Sequence, residues 1–361
     1  MIANLTSVHT RKDPRVFHKI CKSLSEHYST TLIVADGLDN ETIDNINIVN
    51  VSNGKPGRLK RVLFSSFNVV WTGYKSKCEI FHIHDPELLI PSLFLKVMGK
   101  KVVYDIHENI RIQVAHKKWL PKHTRAFASF LVGLIEDFCC KFMDVLIVPQ
   151  PKMLDMYKGK NKKVILVANY PEFEMKSVES NNLFSMYNLI YSGAITEDRG
   201  LYNMLNFLSL DKRYKLTLAG PISSLLLEKA RKHPNWDRVD YLGVLARDEL
   251  YEIYAKSSVG IIMFNNVGQY NMAYSLKLFE YMQNGLYILM PNFGDWKLFN
   301  KKYNSGINVD YSDFNSTHEK LARVSSDDVE DVTLSNRKLI KDIFNWNQQS
   351  NNLLECYKAL M

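Results

Sequence analysis

Ser275, Lys277 and Glu280 bring a hydroxyl, an amine and a carboxylate within six residues of one another. Leu276, Phe279 and Met282 share one face at three-residue spacing, which predicts a short amphipathic helix over 276–283. Asn284-Gly285 ends it, since both residues tolerate the left-handed backbone of a helix end. Ser275 is placed to cap the free N–H groups of the first turn. Lys277 and Glu280, three apart, read equally well as a surface ion pair. Read as a site, the helix N-terminus offers N–H groups and a positive dipole end to a phosphate. Glu280, one turn further in, is then placed to accept hydrogen bonds from ribose hydroxyls. Residues 286–290 follow as a buried parallel strand, closed by Pro291-Asn292.

A second group lies upstream. Residues 189–193 read as a strand ending in Gly193, where the missing side chain lets a phosphate approach the backbone. Arg199, in the loop before the next helix, is suited to pair with that phosphate as a fork. Taken alone it reads as a surface cation. Neither a Gly-x-Gly-x-x-Gly nor a Walker lysine loop is present, which excludes those two fingerprints.

The first half holds three polar clusters, each after a predicted strand. His9, Asp13 and Arg15 follow a strand over 1–8, and a helix over 16–27 follows them. His84-Asp85-Pro86-Glu87 ends a strand over 79–84. Asp105 to Asn109, with His107 and Glu108, ends a strand over 101–106. Strand carboxyl ends are where parallel sheets bind ligands. His82 and His84 alternate onto one face of their strand, a spacing that also suits a metal.

These clusters need two α/β sheets to position them. Strands are expected at 31–35, 145–148, 164–167, 216–218, 239–242 and 259–264, alternating with helices such as 88–98 and 248–255. The 361 residues suit two domains. Five cysteines without metal spacing, no long apolar run and no signal-like start lead us to expect a cytoplasmic protein. The formal charge is +8, and residues 1–160 hold all of the excess. A basic half implies an anionic partner. No nucleic-acid motif is visible, so nucleic acid is not expected. Residues 54–77, with Lys55, Arg58, Lys60, Phe64, Phe67 and Trp71, mix basic and aromatic side chains, as do 111–144, with Lys117, Lys118, Trp119, Lys122 and Phe127. That mixture suits a membrane interface as well as an ordinary sheet-covering helix.

The stretch Leu276-Lys277-Leu278-Phe279-Glu280-Tyr281-Met282 with Gly285-Leu286-Tyr287-Ile288 resembles the donor signature of retaining glycosyltransferases of family four. The run from His82 to Glu108, with His84-Asp85-Pro86-Glu87 and Tyr104-Asp105-Ile106-His107-Glu108, is similar to the same family's first-domain pattern. The resemblance extends from about His9 to Leu360. It implies the GT-B fold: two Rossmann-like α/β domains facing each other across a cleft. The expected division is 1–168 for the acceptor, 169–344 for the donor, and 345–361 as a helix crossing back.

The resemblance also implies roles. Catalysis falls to His107, Glu280 and Arg199. Gly193, Arg199, Leu245, Asn271, Ser275, Leu276, Lys277 and Glu280 would bind the donor, with the loop at Leu245 holding the base. His9, Asp13, Arg15, Asp85 and Glu108 would bind the acceptor. The family's first signature glutamate is replaced by Met272, and Asn271 is the substitute. The expected reaction moves a sugar from a nucleotide-diphosphate sugar to a glycan or lipid-linked hydroxyl, with retention, in surface polysaccharide synthesis. No metal or other cofactor is expected, and the enzyme would lie peripherally on an anionic membrane surface. Two alternatives stay open: a catalytically silent GT-B subunit that binds lipid or a partner, and a metal-dependent hydrolase using His82 and His84.

Overall fold

Uninterrupted apolar runs such as Val145–Val148 and Tyr287–Pro291 form strands buried along their whole length, the pattern of parallel sheets covered on both faces. A computed structural model of the chain describes residues 1–54, 57, 61–116, 121–173, 186–272 and 274–361. Lys55, Arg58, Lys60, Lys117, Lys118, Trp119, the side chain of Lys122 and the expected linker at 174–182 lie outside the described residues. The chain divides into two compact units. Unit one holds Met1–Asn169 and Trp346–Met361, and unit two holds Tyr170–Asn345.

Unit one contains β1 (Ile2–Leu5), β2 (Thr30–Val34), β3 (Glu41–Ile43), β4 (Ile46–Asn50), β5 (Ile80–Ile83), β6 (Lys101–Asp105), β7 (Val145–Val148) and β8 (Val164–Leu166). They make one sheet in the order β3-β4-β2-β1-β5-β6-β7-β8. Every pairing is parallel except β3 with β4. That antiparallel hairpin turns at Asp44-Asn45, both at positive φ, and was not expected from the sequence. The helices are α1 (Lys22–Ser25), α2 (Ser66–Lys75), α3 (Leu89–Val97), α4 (Ile110–Ala115), α5 (Lys122–Cys140) and α6 (Pro151–Tyr157).

The helix expected at 16–27 begins with a π-helical turn, Val16–Cys21, before α1. Its anticipated inward residues Phe17, Ile20, Cys21 and Leu24 are all buried. One face of the sheet packs under α2, α3, α5 and α6 through Val69, Leu89, Leu95 and Cys140. On the other face Ile20 and Leu24 meet Trp346, Leu353 and Tyr357.

Unit two contains β9 (Asn188–Ser192), β10 (Lys215–Ala219), β11 (Val239–Gly243), β12 (Val259–Ile261), β13 (Tyr287–Pro291) and β14 (Gly306–Val309). Its all-parallel sheet runs β11-β10-β9-β12-β13-β14. Its helices are α7 (Leu201–Phe207), α8 (Ser224–Arg231), α9 (Arg247–Lys256), α10 (Leu276–Gln283), α11 (Gly294–Tyr303), α12 (Phe314–Ala322) and α13 (Ser326–Asp342). The closing helix, α14 (Trp346–Lys358), belongs to unit one. Among the parallel strands of each sheet the strand order reverses once, at β1/β5 and at β9/β12, and such switch points open a crevice at the strand carboxyl ends. Among the described residues no helix is long and apolar enough to cross a membrane.

Candidate functional site

In unit two the crevice lies between the loop after β9 and the start of α10. Gly193 ends β9 at φ +111°, and a Cβ there would sit 3.3 Å from Lys277 Nζ. Lys277, in the first turn of α10, is buried. Its amine donates to Ser275 Oγ at 3.2 Å and lies 4.7 Å from the centre of the Tyr191 ring and 5.1 Å from that of Phe264. Burial, joined by the charge of Arg199 and opposed by that of Glu280, pulls the amine down to a pKa of about 7. Ser275 sits at the N-cap position, yet its hydroxyl makes no cap hydrogen bond. The capping expected from the sequence is therefore not what the hydroxyl does, because it serves the amine of Lys277 instead.

Arg199 is half-buried, with Nε 3.4 Å from Tyr270 OH and Nη1 3.4 Å from the Ala194 carbonyl oxygen. Among the described residues neither Arg199 nor Lys277 lies within 4 Å of a carboxylate. Glu280 accepts from Tyr254 OH at 3.4 Å. Tyr254 OH in turn pairs with Ser192 Oγ at 2.7 Å, and the Ser192 N–H donates to Tyr281 OH at 3.0 Å. A hydrogen-bonded chain thus runs from Glu280 to the end of β9. Gly193, Arg199, Ser275, Lys277 and Glu280 are brought together. Leu276 is half-buried at the first residue of α10. Asn271 is half-buried, and its carbonyl accepts from the Asp295 N–H at 2.9 Å. Leu245 lies beyond β11, half-buried, in the loop after Gly243. A cavity of about 500 Å³ lined by Lys212, Lys215, Arg238 and Lys256 opens at the amino ends of β9 to β11, away from this crevice.

In unit one Asp105 is the hub. It is fully buried at the end of β6 and takes both Nε and Nη2 of Arg15, at 2.9 and 2.7 Å. His84 Nδ1 and His107 Nε2 approach the same carboxylate at 3.3 and 3.1 Å. Burial alone would raise Asp105, but Arg15 and His107 outweigh it and hold the carboxyl well below its ordinary range. Asp85 accepts from Thr6 Oγ1 at 2.8 Å and from the N–H groups of Ser7 and Val8 at 2.6 and 3.1 Å. His9 donates to Asp13 at 2.9 Å, lies 3.4 Å from Asp85 and packs on His107 with ring centres 4.5 Å apart. Burial works against a charged His9, yet its Asp13 hydrogen bond and the charges of Asp85 and Asp105 raise it.

Asp13 also accepts from the N–H groups of Arg15 and Val16, so it starts the π-helical turn. Arg15 is committed to Asp105 and the Val167 carbonyl, with Nη1 left unpartnered. Glu108 is exposed and accepts from Gln113.

His82, His84 and Asp105 lie close enough to suggest a metal. The two imidazoles are stacked, with centres 4.4 Å apart and planes at 24°. Nitrogen lone pairs lie in the ring planes, so stacked rings do not aim them at one ion. The Arg15 guanidinium also occupies the carboxylate. This geometry disfavours the metal hydrolase. The sequence placed Asp105 in a strand-end cluster without giving it a role and passed over Tyr254; both roles arise only from tertiary contact. It also passed over Tyr270, although a tyrosine opening the donor stretch was visible.

No protein-family model matches this chain, and no curated protein sequence matches it. Solved structures do. Sucrose-phosphate synthase from Thermosynechococcus elongatus superposes with a TM-score of 0.76 over 99% of this chain and 98% of that one, at 14% identity. A trehalose-6-phosphate protein from E. coli bound with UDP-2-fluoro glucose gives 0.72 over 98% of both chains at 12% identity. Anabaena HepE in complex with UDP-glucose gives 0.70 over 99% of both at 11% identity. The likeness shows the fold: the chain has the two-unit α/β architecture of the GT-B glycosyltransferases.

Proposed function

We propose that this chain is a retaining glycosyltransferase of the family-four type, which moves a sugar from a nucleotide-diphosphate sugar to a hydroxyl. One observation carries the reading. Lys277 and Arg199 converge beside a glycine strand end and a helix N-terminus with no carboxylate within 4 Å of either among the described residues, an arrangement suited to an anion. A leaving diphosphate has the charge and size that this arrangement suits. Preorganised positive charge of this kind is commonly the largest catalytic contribution. UDP or its sugars in the E. coli and Anabaena structures favour a uridine nucleotide.

In this reading Arg199, Lys277, Ser275, Leu276 and Gly193 hold the diphosphate. Glu280, steadied by Tyr254, takes the ribose hydroxyls. Asn271 and Leu245 serve the sugar and the base. His107 is the proposed catalytic histidine. His9, Asp13, Arg15, Asp85 and Glu108 belong to the acceptor, a glycan or lipid-linked hydroxyl at an anionic membrane surface, in polysaccharide synthesis. No protein nucleophile is assigned, so the incoming hydroxyl attacks on the face that the diphosphate leaves, and the departing phosphate takes its proton. With Arg199 in place and the Lys277 amine able to take up a proton beside a diphosphate, we expect activity to withstand metal chelation.

The test is a melting-temperature screen with UDP, GDP, ADP and their glucose derivatives. A bound nucleotide raises the melting temperature in proportion to its affinity. Glu280→Ala is expected to weaken the stabilising nucleotide by about 1–3 kcal/mol, the cost of losing a desolvated charged hydrogen bond. No shift with any nucleotide would overturn the proposal, and unchanged affinity in Glu280→Ala would remove Glu280 from the site.

A further inference from the structure

Asp105 and His107 stand on one side of the chain where β6 ends. Ile106, between them, donates its N–H to the Ile147 carbonyl at 2.8 Å and is fully buried, so the pairing with β7 runs on past Asp105. In an extended backbone alternate side chains share a face, which sets the carboxylate beside the imidazole. His107 Nε2 is buried 3.1 Å from Asp105 Oδ2, and no other acceptor among the described residues meets it. Nδ1 of the same ring has no hydrogen-bond partner among the described residues, and the side chain keeps 18% of its surface exposed. The ring therefore has one nitrogen turned into the protein and one left for a ligand.

The charge of the carboxylate decides where the imidazole proton sits. Burial opposes ionisation of Asp105, but the Arg15 fork at 2.9 and 2.7 Å, with His107, holds the carboxyl well below its ordinary range. A neutral imidazole carries a single proton, on either nitrogen. A bare lone pair on Nε2 would be repelled by an anionic oxygen 3.1 Å away in a buried site, whereas an N–H there is attracted. Neighbouring rings limit rotation. His84 meets His107 edge to face, with centres 5.7 Å apart and planes at 83°. His9 packs on it at 4.5 Å and 41°.

We propose that Asp105 is a positioning residue for the reaction: it holds His107 as the Nε2–H tautomer and leaves the Nδ1 lone pair to accept a hydrogen bond from a substrate hydroxyl. The diphosphate of a nucleotide sugar carries no proton to give at neutral pH, so this lone pair selects a hydroxyl over a phosphate oxygen. The engagement of His107 with substrate rests on the functional reading above. Its tautomer does not.

The experiment records long-range proton–nitrogen correlations of the histidine rings in the full-length, 15N-labelled protein at about pH 8. The His107 signals are identified by their loss in His107→Gln. Nε2 is expected at a protonated, pyrrole-type shift and Nδ1 at an unprotonated, pyridine-type shift. In Asp105→Asn the amide oxygen can still face Arg15, while its N–H group is offered to the imidazole. An amide donor in that place stabilises the wrong tautomer, so His107 should change to Nδ1–H. The same variant should turn over about tenfold or more slowly, the loss of one substrate hydrogen bond, and keep the nucleotide-induced melting shift of the parent.

An Nδ1–H or doubly protonated His107 in the parent would overturn the proposal, and that spectrum decides even if Asp105→Asn does not fold. A folded Asp105→Asn that keeps the Nε2–H form would remove Asp105 from the positioning role. A changed tautomer with undiminished turnover would show that Nδ1 does not meet the substrate. The tautomer is read without any nucleotide, so a failed nucleotide screen leaves this result standing on its own.

Discussion

At Lys277 an amine is held beneath two aromatic rings, and its proton reports on both folding and ligand. Its pKa in the folded protein is about 7, against an ordinary value of 10.5. Between those values the unfolded chain carries the proton and the folded one does not, so this residue makes stability rise with pH through the window. Below about pH 7 both states are charged, and the full cost of burying the ammonium is felt. Lys277→Met should therefore stabilise the free protein most on the acid side of pH 7 and flatten the rise toward pH 10. Urea denaturation at a series of pH values measures both. A diphosphate beside the amine would restore its proton, so UDP binding at pH 8 should take up protons. Calorimetry in buffers of different ionisation enthalpy detects that uptake, which Lys277→Met should abolish. Zero uptake by the parent would show that the amine does not meet the phosphates. The sequence singled out Lys277 but did not show its burial, because Tyr191 arrives from β9 and Phe264 from the segment after β12.

Among the elements, those with a continuous apolar run or a helical apolar stripe were legible. The helix expected at 276–283 is α10 (Leu276–Gln283), and the strand expected at 286–290 is β13. The hairpin β3–β4 escaped because its turn and first strand lie in a polar stretch that gives no buried face. The π-helical turn escaped because a small change of pitch leaves the inward residues where an α-helix would put them. Single tertiary bonds have no signature either, and α14 is fixed by several. Trp346 Nε1 donates to Ser23 Oγ at 2.9 Å, and Gln349 accepts from the Ala168 N–H at 2.8 Å. Tyr357 OH pairs with His82 Nδ1 at 2.7 Å, both fully buried. Tyr357→Phe leaves that imidazole nitrogen unsatisfied and should cost about 1–3 kcal/mol in denaturant unfolding. Burial, against the opposing pull of the Asp105 carboxylate, also holds His82 and His84 below their ordinary value of 6.5. Below pH 6.5 the unfolded chain binds protons that the native imidazoles refuse, so stability should decline as the pH falls. A stability flat from pH 7 to 5 would contradict the buried neutral pair.

At the scale of the whole molecule the two units divide the chemistry by charge. Residues 1–160 hold the entire positive excess. Unit one nevertheless spends much of its strand-end charge internally: Arg15 on Asp105, Arg11 on Asp36 and Glu41, and Asp85 on the N–H groups after β1. Among the described residues unit two places no carboxylate within 4 Å of Arg199 or of the Lys277 amine at its switch point, so Arg199 stays charged and the amine can take up a proton beside an anion. A nucleotide diphosphate should therefore choose unit two despite its balanced composition, because local pairing rather than net charge sets the potential of a desolvated crevice. Hydrogen exchange with and without saturating UDP tests this over the whole chain. Protection is expected in residues 191–200 and 274–283, where backbone N–H groups flank Arg199 and the Lys277 amine. The strand-end loops after β1, β5 and β6 should exchange at their unliganded rates. Protection confined to those three loops would place the nucleotide in unit one and reverse the division of labour between the units. Protection at Gly193 and α10 that disappears in Lys277→Met would tie the nucleotide to the buried amine itself.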